Sequence, residues 1–287
     1  MKTLKYYLQK AQREQWAIGQ FNFSDFTQMK AIVNAAQKCY SPIILGTSEG
    51  ESKFFGLDEA VALRNILRKK LCLPVFLNLD HGKTFKYLKE AIRAGYDMVH
   101  IDASKLTLEE NIKITKEVVR YAKWRGIIVE GEVGRIGNDS SKIYSEKFVI
   151  NENDLTNSNQ AKEYVDQTKV NLLAVSIGNF HGIEVSGIDP DLRMDVLRAV
   201  KEKTNKTLLT LHGGSGTHDE DIKEAIKNGI VKININTELR LAFSGNLRRA
   251  LSSPEEITPY KFLVDAKNSV QKVVERKITL FGSLNKV

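Results

Sequence analysis

Eight short apolar runs alternate with amphipathic segments along the chain, and this alternation restricts the fold more than any other feature. The apolar runs cover residues 17–22, 43–47, 75–80, 98–102, 127–133, 172–177, 208–212 and 231–236. Segments with helical periodicity separate them, at 26–38, 58–70, 85–94, 108–124, 160–168, 190–204 and 219–228. Because these connections are too long for hairpins, the runs are predicted to be parallel strands joined by crossover helices.

Eight such strand–helix units are typical of the TIM barrel, the (β/α)8 fold of the α/β class. The prediction adds an N-terminal helix at 4–13 and a C-terminal helical extension from residue 238. A doubly wound open sheet is the alternative, but no GxGxxG motif follows the first run, which counts against its dinucleotide-binding form. No shift in composition marks a boundary, so residues 1–287 are predicted to form one domain.

The charge and hydropathy of the chain restrict its possible binding partners and its cellular location. No apolar run approaches the roughly 20 residues that cross a bilayer, so we predict no membrane partner. Residues 1–8 lack the apolar core of a secretory signal, and we therefore predict a cytoplasmic protein. The net charge is +8, but the lysines are scattered along predicted helices and do not cluster with aromatic residues. This pattern argues against a nucleic-acid partner and is compatible with an anionic substrate.

Three of the five histidines follow apolar runs and are each followed by glycine: His81, His181 and His212. Strand ends meet at one mouth of a barrel, so these imidazoles are predicted to converge on one metal ion. Three neutral imidazoles with an open fourth position suit a catalytic zinc that polarises a carbonyl oxygen. Any one of them alone would more simply be a core histidine. His100, inside a strand, and His218, at a helix start, lack the glycine and are predicted to be structural.

Carboxylate side chains also occur within the apolar runs and at their ends. Asp102 ends the fourth run, and Glu132 shares one face of the fifth run with Glu130. Buried acids need cations or hydrogen-bond donors, so they are predicted either to form a second metal position or to support the imidazoles. For Glu130, a salt bridge with an interior lysine is an equal alternative. Asp80 precedes His81 and is a candidate acid or base, with a supporting role as the alternative.

An anion-binding element is predicted after the last two strands. Glycines follow the seventh strand, and the eighth strand leads directly into a helix. Glycines let backbone N–H groups approach an oxyanion, and a helix N-terminus adds a favourable dipole. A phosphate site beside a metal suggests proton abstraction next to the carbonyl of a phosphorylated ketone. The residues concerned are Gly213, Gly214, Ser215 and Gly216, followed by Asn234, Ile235, Asn236 and Thr237.

The connection after the fifth strand, residues 134–159, is long and polar. Loops of this length inside a domain are usually lids or disordered segments. Because it leaves the C-terminal end of a barrel strand, it is predicted to be a mobile lid over the active face.

The order of these motifs resembles that of the class II, metal-dependent ketose-bisphosphate aldolases, a family that includes fructose- and tagatose-bisphosphate enzymes. The resemblance extends from Gly19 to Ser283. It rests on Leu79-Asp80-His81-Gly82, Ile101-Asp102-Ala103-Ser104, Val129-Glu130-Gly131-Glu132-Val133-Gly134, His181-Gly182, Leu211-His212-Gly213-Gly214-Ser215-Gly216 and Lys232-Ile233-Asn234-Ile235-Asn236-Thr237-Glu238.

The resemblance implies a TIM barrel that cleaves a ketose bisphosphate reversibly into dihydroxyacetone phosphate and an aldehyde. Fructose 1,6-bisphosphate, which yields glyceraldehyde 3-phosphate, is the expected substrate, and tagatose 1,6-bisphosphate or a different aldehyde is the alternative. A homodimer or larger homo-oligomer and a monovalent cation near the phosphate are implied as well.

Site residues follow from the same resemblance. The zinc ligands would be His81, His181 and His212. Asp102 and Glu132 match the second or alternative metal position, and Asp80 would protonate the aldehyde oxygen. The positions that match groups contacting the substrate are Asn22, Ser48, Gly182, Gly213, Gly214, Ser215, Asn234, Ile235, Asn236 and Thr237.

Two departures from the family pattern affect function. The lid of the family usually carries Gly-Gly-x-Glu-Asp, whose acid abstracts the proton from dihydroxyacetone phosphate, but the aligned positions here read Gly137-Asn138-Asp139-Ser140-Ser141. Asp139, Glu146 or Glu152 could replace that acid, and a phosphosugar-binding protein with weakened catalysis is the alternative. The usual Asp-Pro-Arg, whose arginine is associated with the far phosphate, is Thr258-Pro259-Tyr260.

Overall fold

Eight parallel strands pair edge to edge and close into a barrel in the computed structural model, which describes residues 2–137, 139–184, 189–204, 206–252 and 255–287. The barrel strands are β1 Ile18–Asn22, β2 Ile43–Ser48, β3 Val75–Gly82, β4 Met98–Ile101, β5 Ile128–Val133, β7 Leu172–Val175, β9 Leu208–Leu211 and β10 Ile230–Ile235. Because β1 pairs with both β2 and β10, the sheet has no free edge. The predicted TIM barrel is confirmed, and the doubly wound open sheet is excluded.

Helices connect the strands, within a few residues of the predicted bounds. They are α1 Leu4–Glu14, α2 Phe26–Cys39, α3 Glu49–Phe55, α4 Leu57–Leu71, α5 Phe85–Ala94, α6 Leu108–Lys123, α7 Ser158–Thr168, α8 Met194–Thr204, α9 Asp219–Lys227, α10 Thr237–Leu251 and α11 Pro259–Leu280. No helix in the described ranges is both long and apolar enough to span a bilayer.

Four elements in the described ranges were not predicted, and one of them is a short 3-10 helix at Glu152–Asp154 in the long loop after β5. Helix α3 begins with a capping box in which Ser48 and Glu51 satisfy each other's backbone N–H groups, and the sequence contains this Ser-x-x-Glu pattern. Two short strands, β6 Ile143–Tyr144 and β8 Ile183–Glu184, pair outside the barrel. They are too short to produce a periodic pattern. Their pairing connects the long loop after β5 to the segment that follows His181.

The bottom of the barrel interior is an apolar floor. Each strand contributes one residue, and α1 covers the opening with Leu4, Leu8 and Ala11. Burying this surface stabilises the fold because apolar groups leave water. The strand residues of the floor are Ile18, Ile44, Phe76, Met98, Ile128, Leu172, Leu208 and Val231.

Above the floor, the barrel interior becomes polar. Side chains on one face of a strand recur every second residue, so residues two and four positions after a floor residue also point inward. In β10 the register shifts between Ile230 and Lys232, so Lys232 directly follows the floor residue Val231. The middle layer contains Gln20, Asn78, His100, Glu130, Thr210 and Lys232, all fully buried. The upper layer contains Asn22, Ser48, Asp80, Asp102, Glu132, His212 and Asn234. The polar layers therefore place the reactive groups at the C-terminal mouth of the barrel.

Candidate active site

The structure brings the three predicted histidines together at the mouth of the barrel. The ring centroid of His81 lies 4.7 Å from that of His212 and 4.9 Å from that of His181. His181 and His212 are 6.0 Å apart. Nε2 of His81 faces Nδ1 of His212 at 3.1 Å. The predicted convergence is therefore present, although residues from three distant strands and loops contribute to it.

A carboxylate contacts the far side of two of these rings. Oδ2 of Asp102 lies 3.0 Å from Nδ1 of His81, and Oε1 of Glu130 lies 2.7 Å from Nε2 of His212. Glu130 also pairs with Lys232 at 3.0 Å inside the barrel. Glu130 therefore supports an imidazole and forms a salt bridge with an interior lysine at the same time. The two carboxylates fix the ring orientations, which leaves the opposed nitrogens of His81 and His212 facing each other.

The protonation states follow from burial and neighbouring charge. Burial is the main cause that lowers the pKa of His181 well below its usual range, and the nearby His81 and His212 lower it further. The pKa of His212 is also lowered by burial, which outweighs the effect of Glu130. Both rings are therefore neutral near pH 7, as metal ligands must be.

Asp80 is held between two amides beside His81. Burial by itself would raise the pKa of Asp80, but the nearby imidazole of His81, followed by contact with His100, holds it well below its usual range. Its two oxygens accept hydrogen bonds from Nδ2 of Asn22 and Nδ2 of Asn234, each at 3.0 Å. The carboxylate is thus charged and oriented toward the mouth of the barrel.

His100 was predicted to be structural, but the structure places it inside this cluster. Its ring centroid lies 4.7 Å from His81 and 4.8 Å from His212, and its Nε2 lies 3.4 Å from Oε2 of Glu132. The signal was present in the sequence, since His100 is two residues before Asp102 and therefore faces the barrel interior as Asp102 does. The motif His-Gly alone did not identify it.

The donor set fits a divalent metal ion. Two groups have donor atoms within 4.8 Å of one another: Asp80, His81, His100 and His212, and His81, Asp102 and Glu132. Neither of these tight groups includes His181. Nε2 of His100 and Oε2 of Glu132 lie 3.4 Å apart without forming a hydrogen bond, and among the described residues neither of these buried atoms has another hydrogen-bond partner. Imidazoles and carboxylates in this arrangement suit zinc and related ions.

The predicted anion site forms a small cavity next to the histidines. Asn236 and Thr237, at the N-terminus of α10, line this cavity, and the dipole of the helix favours an anion there. A side chain at Gly213, whose φ is +64°, would collide with the carbonyl oxygen of Phe180, so the close approach requires glycine. The cavity is lined by Ser48, Asp80, His81, Ser140, His181, Gly182, His212, Gly213, Ser215, Asn234, Asn236 and Thr237.

Three predicted substrate contacts lie behind the cavity wall. The N–H of Gly214 donates to the carbonyl oxygen of Asn234 at 3.1 Å and is therefore already used. The side chain of Ile235 is fully buried in the apolar core. Asn22 contacts Asp80 and does not line the cavity. These positions support the site in the structure, and direct contact with substrate stays a prediction for each.

The long loop after β5 lies across this site. The carbonyl oxygen of Ser140 accepts a hydrogen bond from Oγ1 of Thr237 at 2.9 Å, and the N–H of His181 donates to the carbonyl oxygen of Gly137 at 3.0 Å. The predicted position of the lid is therefore observed. Its mobility stays a prediction, and Asn138 lies outside the described residues.

Sequence reasoning missed a pair of charged residues beside the site. Glu51, at the start of α3, accepts hydrogen bonds from Nδ2 of Asn22 at 3.1 Å and from the N–H of Ser48 at 2.8 Å. Arg240, in the first turn of α10, donates to Glu51 at 2.7 Å. The Ser-x-x-Glu capping pattern could have located Glu51, but its contact with Arg240 joins residues 189 positions apart.

A family model and two curated relatives indicate the same protein family for this chain. The family model described as "Fructose-bisphosphate aldolase class-II" matches residues 2–286. The chain is 37% identical to the fructose-bisphosphate aldolase of Ureaplasma parvum serovar 3, over 99% of this chain and 97% of that protein. It is 34% identical to the fructose-bisphosphate aldolase of Helicobacter pylori strain 26695, over 98% and 97% respectively.

Solved structures agree with the sequence relatives. The YdjI aldolase from Escherichia coli K12 superposes with a TM-score of 0.85 at 29% identity, covering 100% of this chain and 99% of that one. Because a family model and two relatives match along nearly their whole length, this chain belongs to the class II fructose-bisphosphate aldolase family, and it is a metal-dependent aldolase that acts on a phosphorylated sugar.

Proposed function

We propose that this protein is a zinc-dependent aldolase that cleaves fructose 1,6-bisphosphate reversibly into dihydroxyacetone phosphate and glyceraldehyde 3-phosphate. The observation that carries the proposal is the opposed pair of ring nitrogens of His81 and His212, next to the cavity at the N-terminus of α10. A phosphorylated ketone requires a metal site that polarises its carbonyl group and an adjacent oxyanion site that binds its phosphate.

The metal would be held by His81, His181 and His212. When bound, zinc supplies Lewis acidity that stabilises negative charge on the carbonyl oxygen of the dihydroxyacetone phosphate half. Asp102 and Glu132 are proposed as a second or alternative divalent position, since their oxygens and His81 form one of the two tight donor groups. We also propose a monovalent cation near the phosphate.

Asp80 is proposed to move the proton of the hydroxyl group that becomes the aldehyde. In cleavage it accepts this proton, and in condensation it returns the proton to the aldehyde oxygen. Asn22 and Asn234 restrict the carboxylate to one orientation through hydrogen bonds to both oxygens. Such positioning of a general acid or base contributes roughly 10²–10⁴-fold to a rate.

Asp139 is proposed to exchange the carbon-bound proton of dihydroxyacetone phosphate. Of the three acids considered, only Asp139 lines a second, larger cavity that adjoins the small one and shares His81 and His181 with it. Glu152 forms a salt bridge with Arg193 on the exposed surface, and Glu146 is exposed in the loop. Hydrogen bonds from the N–H and Oγ of Ser141 lower the pKa of Asp139, so it is charged at neutral pH but a weaker base.

The remaining features are proposed on the family relationship. We propose that residues 1–287 form one domain, that the protein is a homodimer or larger homo-oligomer, and that it is cytoplasmic. These proposals concern assembly and location and do not affect the chemistry of the site.

The proposal is tested by metal analysis combined with activity. Zinc-loaded protein should cleave fructose 1,6-bisphosphate in an assay coupled to both triose phosphates, and a chelator should abolish cleavage until zinc is restored. His212→Ala should lose metal and cleavage together, because it removes one of the two opposed nitrogens. The matched control is His218→Ala, which removes an exposed histidine at the start of α9.

Two results would contradict the proposal. Full cleavage by His212→Ala would remove the metal assignment. Cleavage of tagatose 1,6-bisphosphate in preference to the fructose compound would change the substrate but leave the chemistry in place.

A further inference from the structure

A cavity of about 440 Å³ opens at the end of the barrel opposite the histidines, and it is here named the basal cavity. Three segments line it, within residues 11–15 of α1, 198–202 of α8 and 226–231 at the junction of α9 with β10. Ala11 and Val231 also belong to the apolar floor of the barrel. Among the described residues, the basal cavity shares none of its lining with the two cavities at the mouth.

The described lining of the basal cavity has a positive net charge. It contains three cations, Arg198, Lys201 and Lys227, and one acid, Glu202. Arg198 also pairs with Glu224 across the contact between α8 and α9, at 3.2 Å. The cations therefore exceed the acids at this surface, which favours an anionic ligand over a neutral or cationic one.

Lys201 differs from the other buried lysines of the protein. Its Nζ is buried and has no hydrogen-bond partner among the described residues, and burial lowers the pKa of Lys201. The fully buried Lys232 and Lys277 each have an acidic partner, Glu130 at 3.0 Å and Glu238 at 2.7 Å. A buried ammonium without a counter-charge is costly, so the position of Lys201 indicates that an anionic partner is missing.

The backbone before β10 makes room for the side chain of Lys201. Gly229 has a φ of +105°, and a Cβ atom at this position would lie 3.0 Å from Cε of Lys201. Glycine tolerates both this backbone conformation and the close contact. The carbon chain of Lys201 can therefore pack against residue 229 at the wall of the cavity. Because its donors lie at the end of a flexible four-carbon stem, the ammonium can turn toward an anion in the cavity.

We propose that the basal cavity binds a small organic anion that carries a phosphate or carboxylate group, with Lys201 as its principal charged contact. The ammonium offers three N–H donors, and none of them is used by the described residues. Arg198 and Lys227 add charge, and the amides of Gln12 and Gln15 add neutral hydrogen-bonding groups. The volume of the cavity lies within the range of small-molecule sites, roughly 300–1,000 Å³.

The experiment follows anion binding at individual lysines by NMR, in zinc-loaded protein whose lysine Cε atoms carry carbon-13. The signals of Lys201 and Lys227 are assigned by their loss in Lys201→Met and Lys227→Met. The probes are inorganic phosphate and succinate, each added separately at constant ionic strength. The matched control is Lys203→Met, which removes an exposed lysine of α8 that donates to Asn159 and does not line the basal cavity.

We expect the signals of Lys201 and Lys227 to shift along one saturable curve with at least one probe. In Lys201→Met, the dissociation constant reported by Lys227 should rise at least about 10-fold, the usual effect of losing a charged hydrogen-bond donor. Lys203→Met should keep the dissociation constant of the unmodified protein. Saturation by phosphate alone would assign a phosphate ligand, and saturation by succinate alone would assign a carboxylate ligand.

Two results would overturn the inference. Signals of Lys201 and Lys227 that move only in proportion to the concentration of both probes, as that of the exposed Lys203 should, would show that the ammonium is solvated by water alone. An unchanged dissociation constant in Lys201→Met would show that the anion binds without Lys201. Neither measurement requires turnover, so failure of the aldolase proposal would not affect this test.

Discussion

The floor and the mouth of the barrel interior are built by the same eight strands but have opposite chemistry. At the floor, each strand contributes one apolar side chain, and α1 closes the end with Leu4, Leu8 and Ala11. Toward their C-terminal ends, the same strands present acids, amides, imidazoles and a lysine. The floor stabilises the fold without reactive groups, so the mouth can carry charges that by themselves would destabilise it.

Several partners compensate the buried charge of Glu130 in the middle layer. Glu130 is fully buried and contacts Lys232, His212 and Thr210. Burial opposes ionisation of Glu130, but the neighbouring Lys232 and His212 hold its pKa well below the usual range. Removing one partner from such a group leaves an uncompensated charge, which costs more than the pair itself contributes. This difference between the two regions leads to four predictions.

Asp80→Asn should produce the largest of the expected changes, a loss of catalysis. We expect cleavage per folded, metal-loaded molecule to fall by up to about 10⁴-fold, because the variant cannot accept the proton of the reacting hydroxyl. Steady-state kinetics and metal analysis check this prediction. Asp58→Asn removes an exposed acid at the start of α4 and should leave the rate intact. A variant that retains even a tenth of the activity would show that the proton moves elsewhere.

Lys232→Met should affect stability and the site together, because Lys232 lies between the floor and the mouth. We expect the free energy of unfolding to fall by about 3–5 kcal/mol, since Glu130 would be left without its cation. Urea unfolding of the zinc-free protein measures this loss. The double variant Glu130→Gln/Lys232→Met should recover part of it. If the double variant recovers none of the lost free energy of unfolding, the packing of the Lys232 side chain, and not its charge, stabilises the fold.

Leu8→Ala should weaken the floor without changing the chemistry. Loss of a fully buried leucine side chain costs about 2–5 kcal/mol of unfolding free energy, depending on how far the cavity collapses. The kcat of the fraction that stays folded should equal that of the unmodified protein. Leu106→Ala, at a side chain that is 48% exposed, should change stability by less than about 0.5 kcal/mol. A large fall in kcat for Leu8→Ala would show that floor and mouth are coupled.

Asp139→Asn should produce the smallest of the four effects. We expect exchange of the carbon-bound proton of dihydroxyacetone phosphate to slow by about 10²-fold, near the lower limit for a general base, because a lowered pKa weakens the base. Proton exchange followed by NMR is the measurement. Glu152→Gln is the control, since its side chain pairs with Arg193 away from both cavities. An equal loss in the control would indicate an effect on the loop as a whole.

Much of the fold and part of the site were predictable because they depend on local patterns. The eight apolar runs and the helices between them follow from periodicity, which is a property of neighbouring residues. The His-Gly motif identified His81, His181 and His212, because strand ends in a barrel must share one mouth. The same argument applies to His100, which lies on the inward face two residues before Asp102. His100 is not followed by glycine, so the His-Gly motif did not identify it.

The amino-acid sequence by itself determined the strands, the direction in which their side chains point and three of the histidines at the mouth. Only the tertiary structure decided which partners meet. Glu130 contacts Lys232 across 102 positions of sequence, Glu51 contacts Arg240 across 189, and Asp139 rather than Glu152 lines a cavity. Closure of the barrel brings such residues together, and no periodicity along the chain records the distance between them.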